Sequence, residues 1–266
     1  MSEIVPLLGK NVVVYDLSQA LSNSTSSYQP NGHHIEYVTA EQSVAMTGAA
    51  FGIGPEYWPD GQGYCMERVE LSTHSGTHLD APHHYGPVAG GGRGRTVDDI
   101  PFRWCMGDGV LLDMRHKGPG ESIRRADLEA EFKRLGQPPK PYDIPLIWTG
   151  VSAHFDTPGY DRMHPGLRRD ATEYLVDSGV RLIGIDAWSI DRPFDVMIAE
   201  AKAGDRRQLW ESHLLGREKE FAQIEMVCGL DHLPEPTGFT VLALPVKVSG
   251  ASGAWARVVA IYPGDG

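Results

Sequence analysis

His74-Ser75-Gly76-Thr77-His78-Leu79-Asp80-Ala81-Pro82-His83-His84 places four imidazoles and one carboxylate within eleven residues. Imidazole combined with carboxylate suits zinc, manganese or iron(II), whereas a calcium or magnesium cage is built from oxygen atoms. If residues 74 to 78 were extended, their Cα atoms would stand roughly 13 Å apart and the two rings could barely meet at one ion. A helical turn or tight loop shortens that separation to roughly 6 Å. Gly76 tolerates the backbone angles such a turn demands. Asp80 then reaches the same ion, or bridges to a second through its other oxygen. Pro82 holds Ala81 out of helix, so the metal-binding turn is expected to end there, with His84 aimed at the same pocket. A histidine-rich surface loop is the bland alternative. The spacing His-x3-His-x-Asp-x3-His favours metal, because ligand chemistry and geometry agree.

The positions His74-x-Gly76-Thr77-His78-x-Asp80-x-Pro82-x-His84 resemble the signature of the cyclase family of metal-dependent hydrolases, which includes bacterial kynurenine formamidases and isatin hydrolase. His213 and Glu225, twelve residues apart, match a downstream pair of that family. Gly184-Ile185-Asp186 and Ser189-Ile190-Asp191 resemble a further family segment, whose aspartates are expected to order a loop. The resemblance runs from Val12 to Ile261 and is weakest over Trp188 to Gln208. It implies an α/β fold, a swivelling β/β/α domain with a mixed sheet and flanking helices. It also implies a divalent metal, Zn or Mn, with one or two ions per subunit, and a homodimer or homotetramer.

His74, His78 and Asp80 would form the first metal site. His213 and Glu225 would hold a second ion bridged by Asp80, or serve as outer groups. His84 is the candidate general acid/base, since an imidazole of ordinary pKa near 6.5 can take a proton and return it. His83 rivals it by adjacency alone. The expected reaction is hydrolysis by metal-activated water of a C–N bond in a small aryl formamide or cyclic amide. Phe51, Trp58 and Tyr85 are candidate substrate-binding aromatics. A metal-dependent cyclase of a polyketide-type pathway and a non-catalytic metal-binding protein are the alternatives.

Composition is that of an ordinary soluble globular protein. With 266 residues, 41% hydrophobic and 22% charged, the chain suits one catalytic domain, residues 1–266, with 188–211 as a candidate lid. A formal charge of -11 argues against a nucleic-acid partner. No secretory signal or membrane-length apolar run is legible, so a cytoplasmic location and no membrane partner are expected. Cys65, Cys105 and Cys228 lack paired spacing and read as reduced core thiols. No Gly-x-Ser-x-Gly elbow offers a competing nucleophile.

Hydrophobic periodicity predicts strands over 11–16, 35–38, 65–71, 109–114, 144–149, 180–185, 238–248 and 255–262, and 224–227 is an apolar run interrupted by one carboxylate. Helices are expected over 41–50, over 127–135 with Asp127 as cap, from Asp170 as cap to 178, and over 194–211 with His213 near its end. Residues 18–32 read as an arm or loop, His33 and His34 as surface histidines, and 89–95 as a flap.

Overall fold

The computed structural model describes residues 2–26 and 32–264. Part of the arm expected over 18–32, residues 27–31, lies outside them. The chain forms two compact units, Met1–Ala20 with Thr73–Gly266, and Leu21–Ser72.

In the larger unit seven strands close on themselves, in the order Gly253–Pro263, Phe239–Pro245, Met106–Asp113, Ile144–Trp148, Leu182–Ile185, Ala222–Glu225 and His78–Asp80, which pairs back to Gly253–Pro263. A hairpin of Ser2–Leu7 and Lys10–Asp16 extends the same sheet beyond Gly253–Pro263. The four strands from Met106 to Glu225 run parallel. Their apolar runs, such as Ile144-Pro145-Leu146-Ile147, are buried throughout, as expected of strands covered on both faces. Helices Arg125–Arg134 and Arg169–Asp177 cover the outside, burying Leu128 and Phe132, and Leu175 and Val176. The expected α/β class with a mixed sheet and flanking helices is what forms.

The smaller unit pairs His34–Val38 with Met66–Glu70 and carries the helix Ala40–Phe51. Thr39 and Gln42 cap that helix reciprocally, and Gly52 ends it at φ 69°. The strand expected to deliver the chain to His74 therefore belongs to this unit. A turn over 73–77 separates it from the strand His78–Asp80.

Several expectations are corrected. Asp127 and Asp170 sit inside the first turns of their helices, which begin after Arg124 and Arg168. Asp127 still caps, by accepting the Arg124 N–H at 2.7 Å. The helix expected over 194–211 stops at Lys202, because Gly204 takes φ 125° and Asp205 caps a separate turn. His213 lies in its own short helix, Glu211–Leu215. His33 is buried, its Nε2 2.5 Å from the Ser22 carbonyl. Of the three free cysteines only Cys105 is fully buried, and Cys65 is exposed. The glycine-rich run at 89–95 folds as a hairpin, Val88–Ala89 against Gly92–Arg93.

Gly109 lies opposite Phe239 in the sheet, and a Cβ built there would overlap the Phe239 ring. An aromatic ring covering a cross-strand glycine leaves no room for a methyl group. Gly109→Ala is expected to cost about 1–3 kcal/mol by overpacking, read as a lower urea midpoint. An unchanged midpoint would show that the ring has space to move.

Candidate metal centre

The site is built on the short strand His78–Asp80, which is paired on both sides. Glu225 lies opposite His78 and Gln223 opposite Asp80 on one side, while Trp255 and Gly253 take those places on the other. Side chains alternate along a strand, so His78 and Asp80 project to one face with Gln223 and Glu225. Leu79 and Ile224 fall in the hydrophobic core instead. A one-residue slip would exchange ligands for core.

The preceding turn brings His74 back to this face. Gly76 makes it possible at φ 63°, and Thr77 anchors it by donating to the Met226 carbonyl at 2.6 Å while accepting the Gln19 N–H at 2.9 Å. Gly253 packs flat beneath the His74 ring, where a Cβ would collide with it. The turn is tight, as the spacing required, but it ends at Thr77, before the ligand strand. Ala81 is extended and Pro82 opens a 3-10 turn, Pro82–Tyr85, that carries His84. His213 is fixed by Asp191, which accepts the backbone N–H groups of Ser212 and His213 at 2.9 and 3.0 Å and the ring Nδ1–H at 2.6 Å.

The atoms then converge. Asp80 Oδ1 is 2.6 Å from His74 Nδ1 and 3.2 Å from His78 Nε2, and Asp80 Oδ2 is 3.7 Å from His84 Nε2 and 3.8 Å from His213 Nε2. Among the described residues two overlapping groups have metal-ligand spacing: His74, His78 and Asp80, and Asp80, His84 and His213. Glu225 adjoins both, 3.7 Å from His78 and 3.5 Å from His213, and accepts the Ile190 N–H at 3.0 Å.

The donor set fits a divalent cation. His78 gives its Nδ1–H to the Gly76 carbonyl at 2.8 Å, leaving a buried Nε2 that faces only the Asp80 and Glu225 carboxylates among the described residues. His74 Nε2 lies 3.0 Å from Ser252 Oγ, a hydroxyl able to accept its proton and so leave Nδ1 as the ligating atom. Each imidazole is thus held by a second partner on its far side, the usual arrangement around a metal.

Electrostatics point the same way. Burial lowers the pKa of His78, but Asp80 and Glu225 outweigh it and raise the value to about 9. His213 is raised to about 10, against burial, by Asp191 and Asp80. Glu225 is pushed up to about 7 by burial and by Asp80. His84 goes the other way: burial and the neighbouring imidazoles lower it to about 4 despite Asp80. Without a cation, protons on His78 and His213 balance the buried carboxylates. His84 is neutral near pH 7.

The sequence-predicted residues His74, His78, Asp80, His84, His213 and Glu225 are brought together. Tyr85 is fully buried, stacked 5.1 Å from Phe221 and edge-on to His213 at 5.5 Å, so it backs the cluster. Phe51 and Trp58 belong to the smaller unit, Phe51 exposed and Trp58 set against Tyr64 at 6.1 Å. Three participants went unread in the sequence. Gln223 bonds Asp80 and Glu225 and shares the period-two pattern of Glu225, a signal that was available. Ser252 sits in a Ser/Gly loop that offered none. Trp210 stacks on His213 at 4.2 Å from a left-handed backbone, φ 53°. A wide groove of about 1070 Å³, lined by residues 9–12, 108–110 and 237–240, lies at the opposite, N-terminal ends of the parallel strands and carries no such cluster.

Comparison with known proteins agrees with the geometry. A family model described as "Putative cyclase" matches residues 15–192. A kynurenine formamidase of Bacillus cereus is 28% identical over 249 residues, covering 92% of this chain and 95% of that one. An isatin hydrolase bound to the product analogue thioisatinate superposes with a TM-score of 0.75 at 20% identity, over 95% of this chain and 93% of that one. Isatin hydrolase A from Ralstonia solanacearum gives 0.73 at 22% identity, over 94% and 92%.

Ligation by His78 requires its proton to leave. With the proton held up to about pH 9, cation uptake at neutral pH is expected to release protons, and apparent affinity to climb as pH rises toward that value. Calorimetric titration of the chelator-stripped protein with Zn²⁺, in buffers of different ionisation enthalpy, measures the release. Heats independent of the buffer would contradict it.

Proposed function

The chain belongs to the cyclase family, and from that premise we propose that it is a divalent-metal-dependent hydrolase acting on a C–N amide bond of a small aryl formamide or cyclic amide. The observation that carries this reading is the convergence of His74, His78 and Asp80 beside a neutral, partly exposed His84. Held by His74, His78 and Asp80, a zinc or manganese ion would supply Lewis acidity, polarising a carbonyl and making water acidic enough to attack near neutral pH.

The chain's own groups do the rest. His84 takes the proton from the attacking water on its neutral ring and passes it to the leaving nitrogen. Its ring lies 4.2 Å from His74 and 5.4 Å from Trp210, which fixes its position without tying up the proton-accepting function. Asp191 holds His213, and Glu225 accepts the Ile190 N–H and the Gln223 amide beside the first ligand group. Trp210 adjoins Phe194 at 6.2 Å, and Phe194 adjoins Trp188 at 6.1 Å. This aromatic series, within the candidate lid 188–211, supports a flat substrate ring.

His84→Ala is expected to keep its cation and lose about a hundred- to ten-thousand-fold in kcat. Chelation of the unaltered protein should abolish turnover of an aryl formamide or lactam, and re-addition of zinc or manganese should restore it. Product mass greater by one water identifies hydrolysis, whereas a ring-closing cyclase would yield no such gain. Full activity after complete metal removal would overturn the proposal.

A further inference from the structure

Gln223 occupies an unusual position. It is fully buried on the strand Ala222–Glu225, and its amide nitrogen lies 2.9 Å from Asp80 Oδ2, 2.6 Å from His213 Nε2 and 2.8 Å from Glu225 Oε1. An amide has two hydrogens, so three close neighbours saturate it, while its carbonyl oxygen is buried without a partner. A buried polar group left unpaired in this way is uncommon and calls for a reason.

The reason lies in the overlap of the two ligand groups. Asp80 presents Oδ1 to His74 and His78, and Oδ2 to His84 and His213. A cation on the second group would need bonds of about 2.0–2.2 Å to Asp80 and His213. Those atoms are 3.8 Å apart, so the ion would have to lie close to the line joining them. The amide nitrogen already lies within hydrogen-bond distance of both atoms, in the space such an ion would need. It leaves Oδ1 free for the first group.

Resting on the metal-dependent reading above, we propose that Gln223 fills the second cation position with a neutral N–H donor, so that each chain holds a single ion at His74, His78 and Asp80. His213 and Glu225 then act as hydrogen-bonded walls of the site. The identity of residue 223 sets the metal count.

The test counts ions. The full chain, stripped by chelation and reloaded with zinc or, separately, manganese, is dialysed and analysed for metal per chain by plasma mass spectrometry. Circular dichroism and a thermal melt verify folding. The unaltered protein is expected to saturate at one ion. Gln223→Ala removes the obstructing donor, and the nearly isosteric Gln223→Glu adds a carboxylate beside Asp80 and Glu225 that demands a cation. Both are expected to saturate at two. Two ions on the unaltered protein, or one ion on a folded Gln223→Glu variant, would overturn the assignment. An unaltered protein that takes up no ion would instead defeat the metal-dependent function on which the assignment rests.

Discussion

The requirement that buried negative charge be compensated organises this molecule. Asp80 is wholly buried and Glu225 nearly so, and cross-strand pairing brings their side chains to the same small volume. Ionised carboxylates in such a place are costly unless cations or hydrogen-bond donors meet them. The fold supplies both kinds of partner. Three imidazoles arrive from a turn, a strand and a short helix, and an amide arrives from the neighbouring strand. Protons on His78 and His213 serve the balance in the cation-free state.

Closure of the sheet makes this concentration possible. The strand His78–Asp80 is only three residues long, yet both of its edges are paired, to Ala222–Glu225 and to Gly253–Trp255. A strand so short would not hold its register alone. Clamped on both sides, it presents His78 and Asp80 with little freedom, while Leu79 and Ile224 anchor the other face in the core. Supports from distant parts of the chain then set each ring: Ser252 for His74, the Gly76 carbonyl for His78, and Asp191 for His213. The aspartates of the 184–191 segment do order loops, as the sequence suggested. Asp186 accepts the Thr149 and Gly150 N–H groups at 2.7 and 2.8 Å, and Asp191 holds His213.

His84 differs from the other imidazoles of the cluster for a reason visible in its surroundings. His78 and His213 are each flanked by carboxylates on more than one side and hold a proton tightly. His84 sees Asp80 only at 3.7 Å and shares its space with the other imidazoles, so burial prevails and the ring stays neutral. Two protonation states are thus separated by environment within a single residue type.

The sequence by itself determined the metal-ligand spacing of residues 74–84 and the apolar runs that become parallel strands, whereas the pairing of His213 with Glu225 came from the family resemblance. Ligand spacing and burial pattern are local properties, written within a few residues of one another. Tertiary structure alone decided that Tyr85 backs the cluster, that Phe51 and Trp58 belong to the smaller unit, and that Gln223 and Ser252 join the site. These depend on strand register and on which segments close the sheet, and residues 178 positions apart, such as His74 and Ser252, carry no mutual signal along the chain until folding places them in contact.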